Sequence, residues 1–441
     1  MAAEPLLSRF AQHVASTPDK TLFRFLGDDG SEARCMTYAE VDAETRSLAM
    51  HLLGKGGIGC GDRVMLVYPP GLDFIIAFLA CLRAGIVAVP VYPPIPTRLA
   101  KDLNMFVSVH ETCGATVALT NNQYNWAKKA VGLKNKFVKS GGLKWPEMSW
   151  IVTDKINLKK VADVPLPAPA QEDVAFLQFT SGSTADPKGV MVAHSNLADN
   201  LRTIIDRLRA SDATVVVSWL PQYHDMGLIG SYMGAMYCGG SGVYMSPVTF
   251  IRNPPLWVQT VSKYKGTHLQ SPNFGYKLCA RKFGAMKKQP LLDLSSVEHM
   301  FNAAEPVTAE SCDMFLDQFA PHGLDRGTMV PGYGLAEHTV YVCDGGKQRL
   351  RVDKQRLEEA NEAVVVDEGT AGSGAGCVTL MGCGDPKGTP GIDVRIVNDD
   401  GVEQNDDAVG EIWIDSPSKA VGYWGLEEVR ACVGRSFHSH L

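Results

Sequence analysis

The sequence lacks a long hydrophobic run and a surplus of positive charge. Its most apolar stretch begins at Leu72, contains Asp73 and Arg83, and is interrupted by Gly85 and Pro90. It therefore falls short of the roughly 18 apolar residues expected of a membrane span. The first 20 residues contain no apolar segment typical of a secretory signal. The net charge is −6, with lysine and arginine spread along the chain, which argues against a nucleic-acid partner because such proteins usually carry a basic patch.

Cysteine is present, but without ordered spacing. The chain has 11 cysteines, an odd number, and no pair is spaced as C-x-x-C. A disulfide framework or a structural zinc site would show paired or regularly spaced cysteines. These absences favour a reducing, cytoplasmic compartment.

The rest of the composition is ordinary for a globular protein. A chain of 441 residues, 45% hydrophobic and 20% charged, can form one large domain or two to three medium ones. Strand-like apolar segments alternate with helix-like ones, which predicts an α/β fold of layered, mostly parallel sheets with flanking helices. The predicted strands cover residues 62–70, 85–94, 115–120, 150–153, 174–179, 214–220, 242–245, 267–271, 299–303 and 328–331.

Two segments show the residue pattern of a helix clearly. The segment 71–85 is apolar nearly all round, which predicts a buried helix between two parallel strands. The segment 195–210 has apolar residues at helical spacing, and Ser195 is placed to cap its first turn.

The character of the sequence changes after about residue 341. A short charged helix is predicted within 353–366, followed by strands at 377–382, 392–399 and 410–416 and a hairpin turn at Asp400-Gly401. We expect a smaller β-rich subdomain at about residues 342–425, near the C-terminal end.

The segment FTSGSTADPKGV, residues 179–190, is rich in hydroxyl groups and glycine. It lacks the P-loop spacing G-x-x-x-x-G-K-[ST], because Pro187 comes five residues after Gly182 and Lys188 is followed by glycine. A predicted strand runs directly into it, and ligands bind at the carboxyl ends of strands in an open parallel sheet. We therefore predict a phosphate-binding loop, in which Gly189 also lets the backbone approach closely. Its candidate contacts are Thr180, Ser181, Gly182, Ser183, Thr184 and Lys188.

This segment resembles the phosphate-binding motif of the adenylate-forming superfamily, which includes acyl-CoA synthetases, luciferases and fatty acyl-AMP ligases. Further segments resemble the family's other motifs in the same order: SWLPQYHDMGLIG at 218–230, MFNAAEPV at 300–307 and PGYGLAEHTV at 331–340. The segment VGEIWIDSPSKAVGYWG at 409–425 matches the family's G-E-[IL]…G-Y motif, which we interpret as mainly structural. The H-D-M-G-L segment is most similar to the fatty acyl-AMP ligases.

The resemblance implies a role for each motif. Lys188 would neutralise the phosphates of ATP, and His224 would lie near the reacting carboxylate and the acyl channel. Glu337 would hold Mg²⁺, a hard cation that prefers carboxylate and phosphate oxygens. These three are the candidate catalytic residues. Adenine would stack on a tyrosine between small residues at neighbouring strand ends, where the candidate contacts are Asn302, Ala303, Ala304, Tyr333 and Gly334.

The activity implied by the resemblance is activation of a fatty acid with ATP, giving an acyl-adenylate and pyrophosphate, followed by transfer to the thiol of an acyl carrier protein. A fatty carboxylate is already a nucleophile at neutral pH, so positioning and electrostatic stabilisation would dominate catalysis. The family organisation implies a large domain at 1–425, an insertion at about 344–376 that disfavours coenzyme A, and an atypical segment at 426–441. The family's C-terminal lid domain is not recognisable in this sequence, so we expect the isolated chain to turn over poorly.

Two other functions are compatible with the same motifs. An acyl-CoA synthetase would use coenzyme A as the acceptor. A non-catalytic nucleotide- or acyl-binding module is favoured by the missing lid and by Ala185 and Ala336, which stand where the family has glycine and threonine. Retention of Lys188 and Glu337 favours an enzyme, and the ligase interpretation requires these two side chains to face one cleft.

Overall fold

The computed structural model describes residues 3–95, 99–136, 145–180, 187–366, 376–405 and 407–426, with the backbone alone at 99–101 and 131–136. Within these residues the strands form two seven-stranded sheets and two two-stranded sheets. The strands are β1 Thr21–Leu26, β2 Glu32–Thr37, β3 Arg63–Leu66, β4 Val87–Pro90, β5 Val117–Thr120, β6 Ser149–Val152, β7 Val174–Thr180, β8 Lys188–Ala193, β9 Val215–Ser218, β10 Ser241–Tyr244, β11 His268–Pro272, β12 His299–Ala303, β13 Met329–Pro331, β14 Arg349–Asp353, β15 Cys377–Met381, β16 Asp393–Val397, β17 Glu411–Asp415 and β18 Gly422–Tyr423.

Helices cover both large sheets. They are α1 Leu6–Ser16, α2 Tyr38–Leu53, α3 Leu72–Arg83, α4 Leu99–Cys113, α5 Asn122–Lys136, α6 His194–Leu208, α7 Gly234–Tyr237, α8 Pro247–Arg252, α9 Pro255–Tyr264, α10 Asn273–Gly284, α11 Ala309–Phe319 and α12 Lys354–Glu359. A π-helical stretch, Met226–Met233, leads directly into α7. No helix in the described part of the chain has both the length and the apolarity to cross a membrane.

The two large sheets are mostly parallel, as predicted. The first has the strand order β13-β12-β11-β9-β10-β1-β2, and the second has the order β18-β8-β7-β4-β3-β5-β6. The antiparallel pairs in these sheets are β1–β2, β7–β8 and β8–β18. The predicted unit of strand, buried helix and strand is β3–α3–β4, and its two strands are parallel neighbours. The predicted α/β fold class is confirmed.

One hydrophobic core joins the two large sheets. Helix α3 is buried on nearly every face, and its Phe78 packs edge-to-face against Phe176 of β7 at 5.5 Å between ring centroids. The opposite face of the second sheet packs against Leu103 and Phe106 of α4 in a separate cluster. Burying each such side chain contributes about 1.5–3 kcal/mol, which explains why long apolar segments dominate both layers.

The structure corrects two local predictions. Ser195 does not cap α6, because the helix already begins at His194, and the Asn196 side chain accepts a hydrogen bond from the Ala193 amide instead. The short charged helix predicted within 353–366 is present as α12, six residues long. The predicted turn at Gly401, with φ of 75°, is present. It brings Glu403 to a bridge with Val397 at the end of β16, and β17 follows only later in the chain. The C-terminal strands form the two antiparallel pairs β14–β15 and β16–β17.

Candidate active site

Lys188 is the first residue of strand β8 and does not lie in a loop, as the sequence had suggested. It pairs with Thr180, the last residue of β7, so residues 181–187 connect two adjacent antiparallel strands. This connection leaves the second sheet at the carboxyl end of β7. The predicted contacts Ser181, Gly182, Ser183 and Thr184 lie outside the described residues.

Gly189 has a packing role that the sequence did not reveal. It lies opposite Phe179 across the β7–β8 pair, and a Cβ at this position would come within 2.9 Å of the Phe179 ring. The glycine therefore accommodates an aromatic neighbour from its own hairpin. The predicted close approach of a ligand is not needed to explain it.

Glu337 is buried on a short 3₁₀ turn, Ala336–His338, with 7% of its surface exposed. Burial raises the pKa of its carboxyl group, and the negative charge of Asp225 acts in the same direction. A hydrogen bond from Tyr423 and the positive charge of Lys188 oppose this rise without cancelling it. Three charged groups from β8, the 3₁₀ turn and the segment before the π-helix are thus within electrostatic reach of one another.

Tyr423 connects the two principal candidates. Its hydroxyl donates a hydrogen bond of 2.8 Å to Oε1 of Glu337, and the Lys188 ammonium lies 5.3 Å from the centre of its ring. Strand β18 places it there by pairing with β8, so that Tyr423 lies opposite Val190. Lys188 and Glu337 therefore lie on the same tyrosine and not on separate faces of the molecule. The sequence marked this G-Y motif as mainly structural and missed its contact with Glu337.

His224 lies two residues before the π-helix and is ion-paired with its neighbour Asp225, with 2.6 Å between Nδ1 and Oδ1. Partial burial would lower the pKa of His224, but the adjacent carboxylate outweighs this effect and the pKa is raised. The ring is therefore held closer to its protonated form. Asp225 was not among the predicted site residues.

A cavity of about 480 Å³ opens beside His224. Its apolar wall comes from the end of β4 and from α4, and its polar wall from β7 and the segment before the π-helix. Gln178 is 4% exposed, donates from Nε2 to the Tyr223 carbonyl at 3.2 Å, and has no hydrogen-bond partner for Oε1 within the described part of the chain. The lining residues are Pro90, Val91, Tyr92, Asp102, Met105, Phe106, Val109, Gln178, Phe179, Thr180, Pro187, Tyr223, His224 and Asp225.

The candidate adenine contacts lie at two neighbouring strand ends, because β12 and β13 are parallel and Asn302 is level with Pro331. The Asn302 side chain is fully buried, and its Nδ2 donates to Asn273 Oδ1 at 3.4 Å, whereas its own Oδ1 has no partner among the described residues. Ala303 is buried, whereas Ala304 is exposed and has a left-handed φ of 67°. Such a conformation costs a non-glycine residue about 1–3 kcal/mol and is often found at functional sites.

Tyr333 and Gly334 form the second strand end. The Tyr333 amide donates to the Cys343 carbonyl at 2.9 Å, which closes the loop that carries Glu337. A Cβ at Gly334 would overlap the Val340 carbonyl oxygen, so glycine is required there to let the loop fold back on itself. Both residues are half-buried.

The sequence profile of AMP-binding enzymes matches residues 10–424. The chain belongs to the AMP-binding enzyme family. The predicted membership of the adenylate-forming superfamily is thereby confirmed.

Several curated AMP-binding enzymes are similar over nearly the whole chain. The medium-chain-fatty-acid–[acyl-carrier-protein] ligase JamA of Moorena producens (strain JHB) is 35% identical, covering 99% of this chain and 71% of the relative. The long-chain-fatty-acid–AMP ligase FadD32 of Mycobacterium marinum is 31% identical, covering 95% and 65%. This chain therefore spans about two thirds to seven tenths of the length of these relatives.

The fold is also similar to solved AMP-binding enzymes. A fatty acyl-adenylate ligase from L. pneumophila, solved with acyl adenylate and pyrophosphate, superposes with a TM-score of 0.85 at 34% identity, covering 98% of this chain and 72% of that one. An adenylation domain of a keto acid-selecting NRPS module shares the fold with a TM-score of 0.85 at 20% identity.

The residues of this AMP-binding enzyme fit a phosphate-bridged magnesium ion better than a protein-only metal site. Within the described ranges no three His, Cys, Asp or Glu side chains are grouped to hold a metal. Magnesium in nucleotide sites usually takes only one or two carboxylates and completes its shell with phosphates and water. Glu337 can supply one such carboxylate, since the bond from Tyr423 uses only one of its acceptor positions.

Proposed function

We propose that this chain activates a fatty acid with ATP, forming an acyl-adenylate and pyrophosphate, and that the acyl group then passes to the thiol of an acyl carrier protein. The observation that carries the proposal is the convergence of Lys188 and Glu337 on Tyr423 at the end of the β7–β8 hairpin. The names of JamA and FadD32 support a fatty acid as substrate, and that of JamA supports a carrier protein as acceptor. A cytoplasmic location, where ATP and reduced thiols are available, is part of this proposal.

The chemistry is a displacement at phosphorus. A carboxylate oxygen of the fatty acid bonds to the α-phosphorus of ATP, and the bond from that phosphorus to the bridging oxygen breaks, so that pyrophosphate leaves. Both reactants are anionic, and the protein contributes mainly fixed positive charge and orientation. The ammonium of Lys188 stabilises the charge that develops on the phosphates. When bound, Mg²⁺ would supply further neutralisation there, and Glu337 is the residue that would hold it.

The nucleotide is oriented by the hairpin and the two strand ends. Thr180 and the hydroxyls of Ser181, Ser183 and Thr184, with the backbone at Gly182, would contact phosphate. Tyr333 offers an aromatic face to adenine. The backbone of Asn302 and the small side chains of Ala303 and Ala304, with Gly334, leave room beside the ring.

The cavity beside His224 suits the acyl chain, because most of its lining is apolar and comes from the end of β4 and from α4. Oε1 of Gln178 lacks a hydrogen-bond partner among the described residues, but it is itself buried and so offers no acceptor to a molecule in the cavity. We therefore assign this cavity to the acyl chain, with His224 and Asp225 at the boundary with the reacting carboxylate.

Pyrophosphate–ATP exchange with a panel of saturated fatty acids tests the first half-reaction. Exchange that requires both the acid and Mg²⁺ supports the proposal, and transfer to holo-acyl carrier protein compared with coenzyme A then identifies the acceptor. If the chain binds Mg·ATP but shows no exchange with any acid, even with a family lid domain added in trans, the non-catalytic binding module is the better description.

A further inference from the structure

Tyr423 is buried at the point where two parts of the site meet, with 2% of its surface exposed. On one side the backbone of β18 is paired with β8, and the Trp424 amide donates to the Gly189 carbonyl at 2.8 Å. On the other side the Tyr423 hydroxyl reaches Glu337. A buried tyrosine hydroxyl needs a hydrogen-bond partner, and here that partner is the candidate magnesium ligand.

The segment that leads into Tyr423 is hydrogen-bonded to the turn that carries Glu337. We call residues 416–424 the strap. The Ala420 amide donates to the Glu337 carbonyl at 2.8 Å, and Oγ1 of Thr339 donates to the Ser418 carbonyl at 2.8 Å. His338 Nδ1 and Ser416 Oγ are 3.1 Å apart. Three consecutive residues of the Glu337 turn are thus each fixed by the strap.

The turn held by the strap is strained. Thr339 has φ of 67° and ψ of −64°, and the Val340 amide donates to the His338 carbonyl at 2.7 Å. These values define the rare γ-turn, a conformation that persists only where its surroundings enforce it. The strap is in turn anchored to α6, where Asn196 Nδ2 donates to the carbonyls of Pro417 and Lys419 at 3.0 and 2.8 Å.

A hydroxyl that donates to one oxygen of a metal-binding carboxylate fixes the direction of the carboxyl group and so of its other oxygen. Tyr423 is the side chain that supplies this bond, and its ring also borders the Lys188 ammonium.

We infer that Tyr423 is a positioning residue that fixes the orientation of the Glu337 carboxyl group, and that the strap joins strand β8 and the Glu337 turn into one unit. The inference rests on the proposed function, because it assigns the magnesium site of that reaction to a pair of residues and not to Glu337 alone.

The test uses Tyr423→Phe, which removes one hydroxyl, with Tyr38→Phe as the matched control. Tyr38 is equally buried and donates to the Gly240 carbonyl at 2.8 Å, outside the site. Loss of a hydrogen-bond partner to a metal ligand typically costs about 10–100-fold in metal affinity or activity. We expect Tyr423→Phe to raise the Mg²⁺ concentration for half-maximal exchange by about that factor, with the KM for fatty acid unchanged, and Tyr38→Phe to leave both unchanged.

A second readout does not depend on activity. Denaturant midpoints of Tyr423→Phe, Glu337→Ala and the double variant show whether the two residues are coupled. We expect the shifts of the two single variants not to add in the double variant, because either substitution alone already breaks the bond, whereas Tyr38→Phe and Glu337→Ala should add. Additive shifts for Tyr423 and Glu337 overturn the inference even if the enzyme is active. Non-additive shifts in a chain that shows no exchange support the Tyr423–Glu337 pair while the proposed function fails.

Thr339→Val provides a second variant that tests the strap without touching Tyr423. It removes the bond to the Ser418 carbonyl and keeps the side-chain shape. We expect a smaller increase in the Mg²⁺ requirement than in Tyr423→Phe, and full rescue in Thr339→Ser. Equal behaviour of the Val and Ser variants would refute the coupling by the strap.

Discussion

Thr180 and Lys188 lie directly opposite each other as the terminal pair of the β7–β8 hairpin. Because of this pairing, the Lys188 backbone is held in a sheet. The residue lies at the point where the predicted phosphate-binding segment ends. A charge held in this way needs little reorganisation when a polyphosphate binds, which is the condition under which electrostatic stabilisation is most effective.

Lys188→Ala is therefore expected to slow acyl-adenylate formation by roughly 10²–10³-fold, the usual effect of removing one preorganised donor to a developing charge. Pyrophosphate exchange at saturating ATP measures the change. Lys354→Ala is the control, since Lys354 forms an exposed ion pair with Glu358 on α12 and should leave the rate unchanged. A loss of less than threefold in Lys188→Ala would remove Lys188 from the catalytic residues.

Glu337→Gln is expected to raise the stability of the chain at pH 7 and to lower its activity. The folded pKa of Glu337 is raised by burial, so its stabilising contribution is complete below the ordinary pKa of 4.5 and is lost as pH rises through the folded pKa. Glutamine stays neutral at every pH and escapes this loss. The variant should thus unfold at a higher denaturant concentration than the parent chain at pH 7, with no gain at pH 4, while losing Mg²⁺-dependent exchange. A variant that is less stable at pH 7 would contradict the buried-carboxylate account.

His224 should titrate above its ordinary pKa of 6.5, because the charge of Asp225 outweighs partial burial. Asp225→Asn removes that charge, so the midpoint should fall toward the ordinary value. NMR titration of the His224 ring protons measures both values. Asp206→Asn, at the exposed end of α6, is the control. Equal midpoints in the parent and Asp225→Asn would show that the ion pair does not form in solution.

Glycine substitutions at Ala304 and Ala303 form a matched test of backbone strain. Ala304 has a φ of 67°, so Ala304→Gly relieves strain and should raise the free energy of unfolding by roughly 1 kcal/mol after the entropy cost of glycine is subtracted. Ala303 lies within β12, where a substitution by glycine should lower the free energy of unfolding by about 0.5–1 kcal/mol. Denaturant midpoints at constant slope report both changes. Destabilisation by both substitutions would mean that position 304 is not strained.

The layered framework could be predicted because it depends on local patterns. Helix α3 and strands β3 and β4 follow from apolar segments punctuated by Gly85 and Pro90. Strand β8 was missed because its first residues, Lys188 and Gly189, look like the end of a loop, and only the pairing with β7 makes them a strand.

The site was predicted only in part for a related reason. Lys188, His224 and Glu337 belong to motifs with distinctive residue types. The bond between Tyr423 and Glu337 joins positions 86 residues apart, and no spacing within the G-Y-W segment indicates its partner. One general signal was available: a tyrosine in an apolar motif must satisfy its hydroxyl somewhere.

The segment predicted as an insertion, 344–376, has contacts that determine how its role can be tested. Asp344 accepts hydrogen bonds from Arg207 and Tyr341 and is 3.1 Å from His299 Nε2. These partners outweigh burial and lower its pKa, so deleting it would leave core groups unpaired. In the described part of the connection between β14 and β15, the bonds are between backbone groups: the Val366 amide donates to the Arg351 carbonyl at 2.8 Å, and the Ala363 amide donates to the Asp407 carbonyl at 2.7 Å.

Replacing residues 355–375 with a short glycine–serine loop therefore keeps Asp344 and both strands of the β14–β15 pair. If the segment disfavours coenzyme A, the shortened chain should transfer acyl groups to coenzyme A faster than the parent, with pyrophosphate exchange unchanged because Lys188, Tyr423 and Glu337 are untouched. Thioester formation with coenzyme A and with holo-acyl carrier protein, assayed in parallel and each with a family lid domain added, measures the preference. The parent chain with Ala363→Pro, which removes the amide that bonds to Asp407, is the control and should behave like the intact chain if length, and not that bond, sets the acceptor. An unchanged ratio of the two thioesters in the shortened chain would show that the acceptor is chosen elsewhere.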